Sequence, residues 1–212
     1  DPTGLDTFFQ LTGDIGQIPL PPYIRRSPVE ADSQRYQTVF ARTNGSIAAP
    51  TAGLHFTDSL KQRLIEKGVR FSEVTLHVGI DTFRPIGTEK IDEHAMHSEW
   101  CAVSEETLAA VHRTQQLSGR VVAVGTTAVR SLETAAKVGT AESYVGATDL
   151  YIRPGYSFRA VDGMLTNFHM PRTTLMVLVS AFAGHDLIRR GYQEAVRAGY
   201  RFLSYGDAML IL

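Results

Sequence analysis

The chain has 212 residues, 43% of them hydrophobic and 20% charged, with a formal net charge of −1. These values describe a soluble globular protein and exclude a disordered or broadly polycationic one, so any nucleic-acid surface has to be a local patch. Cys101 is the only cysteine, which rules out an intrachain disulfide and fits a reducing, cytoplasmic setting.

From the start, Gly4 to Leu11 reads as a short helix, and Pro19, Pro21 and Pro22 then enforce an extended segment. A linker or domain edge is expected there. Ala31 to Arg42 reads as a helix with Tyr36, Val39 and Phe40 on one face. Ser46 to Phe56 is expected to be a short strand breaking into a Pro-Thr-Ala-Gly loop. The next helix has Thr57 and Asp58 at its start and stops at Gly68. Phe71 to Gly79 is a strand, followed by the loop Ile80 to Pro85.

In the run EHAMHSEWCAV the second half reads as a strand. Ser104 caps a helix with Glu105 and Glu106 in its first turn, and Gly119 ends it. Val121 to Val124 is a buried strand leading through Gly125-Thr126-Thr127 into a helix that the threonines can cap. Gly139 to Gly146 is expected to be a loop. Thr148 to Tyr156 reads as a strand, and Phe158 to Pro171 contains another. Helices follow at Thr173 to Gly184 and about Asp186 to Ala198. The first of these contains the longest strongly apolar run, Leu175 to Gly184, which is too short to span a bilayer. A strand, a Tyr205-Gly206-Asp207 turn and a last apolar strand close the chain.

This alternation predicts an α/β architecture with parallel pairing. In such sheets ligands gather at the carboxyl ends of strands. The residues expected there are Pro50, Thr51, Gly53, His55, His77, Gly79, Gly125 to Thr127, Arg153 to Gly155, Asn167, His169 and Ser204 to Asp207.

His94, His97 and Glu99 form the densest titratable group. Their spacing matches no zinc signature and thiolates are missing, so no metal is expected. Acid–base work suits a histidine pair near neutral pH, with a structural role for one of the two as the alternative. Arg130 and Glu133, three apart on a helix, read equally as an ion pair or as a carboxylate and ribose-hydroxyl site. The helix start after Gly125 reads equally as a plain cap or as an anion site. A Cys101 nucleophile is not expected beside Trp100 in mid-strand.

Taken together, LPPYI (20–24), YQTVFA (36–41), AAPTAGLHF (48–56), VTLHVG (74–79), MHSEW (96–100), VAVGTTAVRSLE (122–133), TNFHMP (166–171), LVSAFAG (178–184) and YRFLSYGDAMLI (200–211) carry a resemblance. The chain resembles the S-adenosylmethionine:tRNA ribosyltransferase-isomerase family of queuosine biosynthesis, from about Leu20 to the last residue. The family's N-terminal part is missing from this sequence. Where the family usually has Gly-x-Gly-Thr-Phe, this chain has Gly79-Ile80-Asp81-Thr82-Phe83.

The resemblance implies a barrel-like α/β domain with mostly parallel strands, of which residues 19–212 would be the C-terminal portion. Residues 1–18 would be the tail of a small inserted β-barrel domain. It implies transfer and isomerisation of the ribosyl group of S-adenosylmethionine onto a 7-aminomethyl-7-deazaguanine wobble base of tRNA. Epoxyqueuosine forms, and adenine and methionine leave. S-adenosylmethionine is a co-substrate, with no prosthetic group and no metal. The expected setting is cytoplasmic, without membrane association, and as a monomer. The rival expectation is a non-catalytic remnant that binds S-adenosylmethionine or tRNA.

On this reading His94, His97 and Glu99 share the acid and base roles. Thr51, Gly53, His55, His77, Gly125, Thr126, Thr127, Arg130 and Glu133 hold the co-substrate. Arg153, Asn167, His169, Tyr205 and Asp207 face the tRNA base.

Overall fold

Helical periodicity and short apolar runs resolve into two small sheets joined by helices. The computed structural model describes residues 7, 11–13, 16–79, 85–139 and 142–212. In chain order the helices are α1 (Glu30–Arg35), α2 (Asp58–Glu66), α3 (Glu105–Gln116), α4 (Thr126–Val138), α5 (Thr174–Ala183) and α6 (His185–Arg197). The strands are β1 (Val74–His77), β2 (Glu99–Val103), β3 (Val122–Val124), β4 (Tyr144–Thr148), β5 (Gly163–Asn167) and β6 (Ala208–Ile211).

One sheet has the order β1-β2-β4 and the other β3-β5-β6. Both pairings of the first sheet are antiparallel, as is β5–β6; among the described residues only β3–β5 is parallel. The expected mostly parallel, barrel-like arrangement is therefore not what the described residues form. The reason lies in where the helices lead. α3 carries the chain from the first sheet to the second and α4 carries it back, so neither is a crossover within one sheet. The α5–α6 pair does return the chain to its own sheet, but antiparallel.

Capping follows the sequence closely. The hydroxyls of Thr57, Ser104 and Thr173 accept hydrogen bonds from the amides of Leu60, Thr107 and Met176, each satisfying one donor that a helix start leaves open. Helix α4 differs. Its N-cap is Gly125, with φ of 95°, and no side chain caps it. The threonines are the first helical residues, not caps.

The core lies under α4. Val129, Leu132 and Ala135 of that helix pack with Val103, Met164, Ile152 and Val179, all buried. Burying such aliphatic side chains is worth roughly 1.5–3 kcal/mol each before entropy is counted.

Several local expectations shift. Helix α1 stops at Arg35, because Thr38 turns the chain and accepts from the Phe40 amide. No strand forms at 46–56. Ile47 and Ala48 both donate to the Val78 carbonyl instead, and Thr51–His55 is a 3-10 helix. Strand β4 occupies part of the expected 139–146 loop, and the expected 148–156 strand is irregular. The Tyr200–Leu203 stretch turns, with Leu203 at φ of 71°. Most of the expected first helix, and Asp81 with its neighbours, lie outside the described residues.

Candidate functional site

Two cavities share a wall. The larger is an open cleft of about 620 Å³, solvent included, bounded by the 3-10 helix, the start of α4 and the loop after β5. The smaller is a narrow slot, about 330 Å³ with open solvent included, between the β4–β5 connection, α4 and α5. Thr127 and Leu175 line both.

In the cleft, Asn167 is the organising side chain. Its amide nitrogen donates to the Leu203 carbonyl at 3.2 Å and to His55 Nε2 at 2.9 Å, and its oxygen accepts from Thr51 Oγ1 at 3.1 Å. A carbonyl can only accept, which fixes which end of the amide is nitrogen. His55 Nε2 must then be the acceptor, so its ring is neutral with the proton on Nδ1. Burial pushes the His55 pKa down, and the Asp207 carboxylate acts in the opposite direction. His169 is held by Thr166 at 2.9 Å, and its backbone amide donates to the Tyr192 hydroxyl at 2.8 Å. Burial drops its pKa to about 4, so it too is a neutral imidazole at physiological pH. The uncapped amides at the start of α4 face the same cleft, where Gly125, Thr126 and Thr127 are lining residues.

At the slot, Arg130 of α4 reaches the first sheet. Its guanidinium pairs with Glu99 Oε2, and donates to the Leu150 and Thr148 carbonyls at 3.2 Å each. Both charged side chains are buried. The other Glu99 oxygen accepts from the Gly79 amide at 3.4 Å and lies 3.6 Å from His97 Nε2. His97 and Arg130 line the slot. His94 stands outside that lining, edge-on to Tyr151 at 5.6 Å.

Other expected residues are spent elsewhere. Glu133 is fully buried and lines neither cavity. It accepts from the amides of Arg159, Ala160 and Val161 and from the Tyr156 hydroxyl. Of the two equal readings of Arg130 and Glu133, the ion pair does not form, since Arg130 pairs with Glu99, and Glu133 is taken up by loop amides instead of facing a cavity where a ribose could sit. Arg153 pairs with Asp92 on the surface. Tyr205 is drawn to α1, donating to Asp32 Oδ1 at 2.9 Å and packing on Tyr36. Asp207 accepts from the Arg201 amide. Gly53 sits against Thr38, where a Cβ would approach to 2.9 Å. His77 packs on Trp100 at 4.6 Å, with Gly45 pressed against its ring.

Cys101 is fully buried and its thiol pKa is raised by that burial. Among the described residues, no three His, Cys, Asp or Glu side chains converge to hold a metal ion. No described helix is long and apolar enough to cross a membrane.

Sequence reasoning missed Tyr23 and Tyr151. Tyr23 is bound to Ser204 across 181 positions, a pairing without any local signal. The rigid Pro21-Pro22 preceding Tyr23 was the available hint.

A mixed α/β protein whose cleft combines uncapped helix amides with neutral imidazoles is suited to a small polar ligand. The family described as queuosine biosynthesis protein matches residues 3–211, and the chain belongs to that family. It is 58% identical over 202 residues to the S-adenosylmethionine:tRNA ribosyltransferase-isomerase of Cupriavidus pinatubonensis, covering 95% of this chain and 58% of the relative. The enzyme of the same name from Thermotoga petrophila is 54% identical over 203 residues, covering 96% and 60%. A crystal structure of S-adenosylmethionine tRNA ribosyltransferase from Thermotoga maritima superposes with a TM-score of 0.65 at 49% identity, over 76% of this chain and 51% of that one. The chain thus spans 58–60% of the length of these two curated relatives.

Proposed function

We propose that this chain carries the reaction chamber of an enzyme that transfers and isomerises the ribosyl group of S-adenosylmethionine onto a 7-aminomethyl-7-deazaguanine wobble base of tRNA. Membership of the queuosine family motivates the reaction class. The single structural observation that carries the reading is the junction of the cleft and the slot at Thr127, beside the buried Arg130–Glu99 pair.

The chemistry sets the roles. The sulfonium acidifies the ribose C5′–H. A base takes that proton, the bond to adenine breaks, and an acid protonates the departing base. The amine of the deazaguanine forms the new C–N bond and gives up a proton. The ring C1′–O4′ bond then opens to an iminium, the C5′ carbanion forms the C1′–C5′ bond, and the freed O4′ alkoxide closes the epoxide on C5′ as the C–S bond breaks, which releases neutral methionine.

His97 is the base or acid nearest the slot, and Glu99 orients it from 3.6 Å. The expectation that Glu99 itself moves the proton becomes a supporting role, because Arg130 already holds that carboxylate. His94 serves as the second acid–base group. The Gly125 amide donates to the Leu165 carbonyl, and the turn at Gly125 presents the amides of Thr126 and Thr127, which suit the methionyl carboxylate. Asn167 and the neutral His169 present polar edges to the tRNA base, with Thr51 and His55 fixing the amide. The same reading takes residues 1–18 as the tail of an inserted domain and 19–212 as the catalytic domain, in a cytoplasmic monomer.

Incubating the protein with S-adenosylmethionine and tRNA bearing the deazaguanine base tests this. Adenine and methionine should appear together, with a matching gain in tRNA mass. Intact co-substrate and unmodified tRNA would end the proposal.

A further inference from the structure

The Asn167 amide has two N–H donors and two oxygen lone pairs. The Leu203 carbonyl and His55 Nε2 take both donors, and Thr51 Oγ1 takes one lone pair. The position left over is an acceptor. Asn167, Thr51 and Leu203 all line the cleft, whereas His55 stands outside that lining and reaches a ligand only through the amide.

This arrangement depends on one proton. A protonated His55 carries N–H on both ring nitrogens and has nothing to offer the Asn167 nitrogen. With the amide unmoved, two donors face each other at 2.9 Å. With the amide turned over, its oxygen accepts from the imidazolium and its nitrogen donates to Thr51, but the oxygen then opposes the Leu203 carbonyl. That carbonyl is fixed, since it also accepts from the Gly206 amide at 3.0 Å and the Leu203 amide donates to Phe168. The turned amide leaves an N–H open where a lone pair had been.

The neighbours of His55 favour its neutral form. Burial lowers its pKa, and the Asp207 carboxylate, on the turn before β6, works against that. Arg201 holds Asp207 through its amide at 2.7 Å and its guanidinium at 3.6 Å. His169, after β5, is neutral, and burial raises the pKa of Tyr23.

We infer that His55 is a positioning residue: its neutral ring holds Asn167 with an acceptor for the ligand, and a proton on His55 turns the amide into a donor and spoils the site. The inference rests on the proposed use of the cleft by the tRNA base, but half of its test does not need turnover.

Nitrogen-15 NMR of the full-length protein reads the ring and the amide. The Asn167 amide signals should move with the His55 ring in one transition, below the ordinary histidine pKa. In His55→Gln, whose side-chain oxygen can accept but cannot titrate, they should stay still over the same range. Asp207→Asn keeps an acceptor for the Arg201 amide and removes the charge, so it should move the transition to lower pH; it decides the point if His55→Gln fails to fold. In turnover, kcat/KM for tRNA should fall on acidification, and His55→Gln should lose about threefold less than wild type between about pH 8 and about pH 5.5. A histidine needed only for folding would scale activity equally at every pH. The inference is overturned if the Asn167 amide does not titrate, if it titrates equally in His55→Gln, if Asp207→Asn leaves the transition in place, or if the pH profiles run parallel. Adenine release without the linked titration would leave the proposed reaction standing and remove only this role of His55. The titration without turnover would do the reverse.

Discussion

Glu99 and Glu133 are both buried carboxylates that contact or belong to the same helix, α4, and they do opposite things. Glu133 is saturated by three main-chain amides and a phenol from 156–161. It fastens a loop to the helix and faces no cavity. Glu99 shares its charge with Arg130 at the wall of the slot, with His97 in reach of its second oxygen. Burial alone therefore does not mark a functional acid. What separates the two is whether the partners are main-chain donors that complete the fold or side chains that border a cavity.

The largest effect is expected where the pair is broken. Arg130→Met strands the Glu99 charge and should cost about 4 kcal/mol of unfolding free energy, as for other buried pairs cut on one side. Adenine release by the remaining folded protein should fall at least a hundredfold. Urea melts and single-turnover assays read the two losses separately, and normal activity per folded molecule would break the comparison.

Glu133→Gln comes next. It exchanges charge-assisted bonds for neutral ones and should cost about 2 kcal/mol. Activity per folded molecule should stay within threefold, measured at a temperature well below the melt. A hundredfold loss would show that Glu133 belongs to the chemistry after all. Tyr156→Phe is the smallest step. It removes a single 3.0 Å bond to Glu133 and should lower stability by about 1 kcal/mol, seen as a small shift in the denaturation midpoint.

How much of this was legible in the sequence varies with range. Helix starts at Thr57, Ser104 and Thr173 were readable because a cap is decided within three residues. The α5 and α6 helices and strand β5 followed from periodicity and from Gly184 between the helices. Strand direction was not readable, since alternating strands and helices serve a crossover within one sheet and a passage between two sheets equally well.

The same limit applied to the site. Asn167, His169 and the Gly125 turn were placed correctly at the cleft, because residues that end strands share one side. Arg130 was singled out, but its local neighbour Glu133 looked like the partner, whereas the actual partner lies 31 positions away. Tyr205 was expected to face the tRNA base, whereas its hydroxyl donates to Asp32 of α1. Such choices are made by tertiary packing, which leaves no trace in spacing.

Helix α4 touches β1, β2 and β4 of one sheet and β3 and β5 of the other. Two three-stranded sheets of this size would each be marginal alone. With a single helix belonging to both, neither can open its amides to solvent while the other stays closed around α4. Hydrogen exchange in β2 and β5 should therefore follow one shared opening event, so that the two sheets form a single unit of cooperativity.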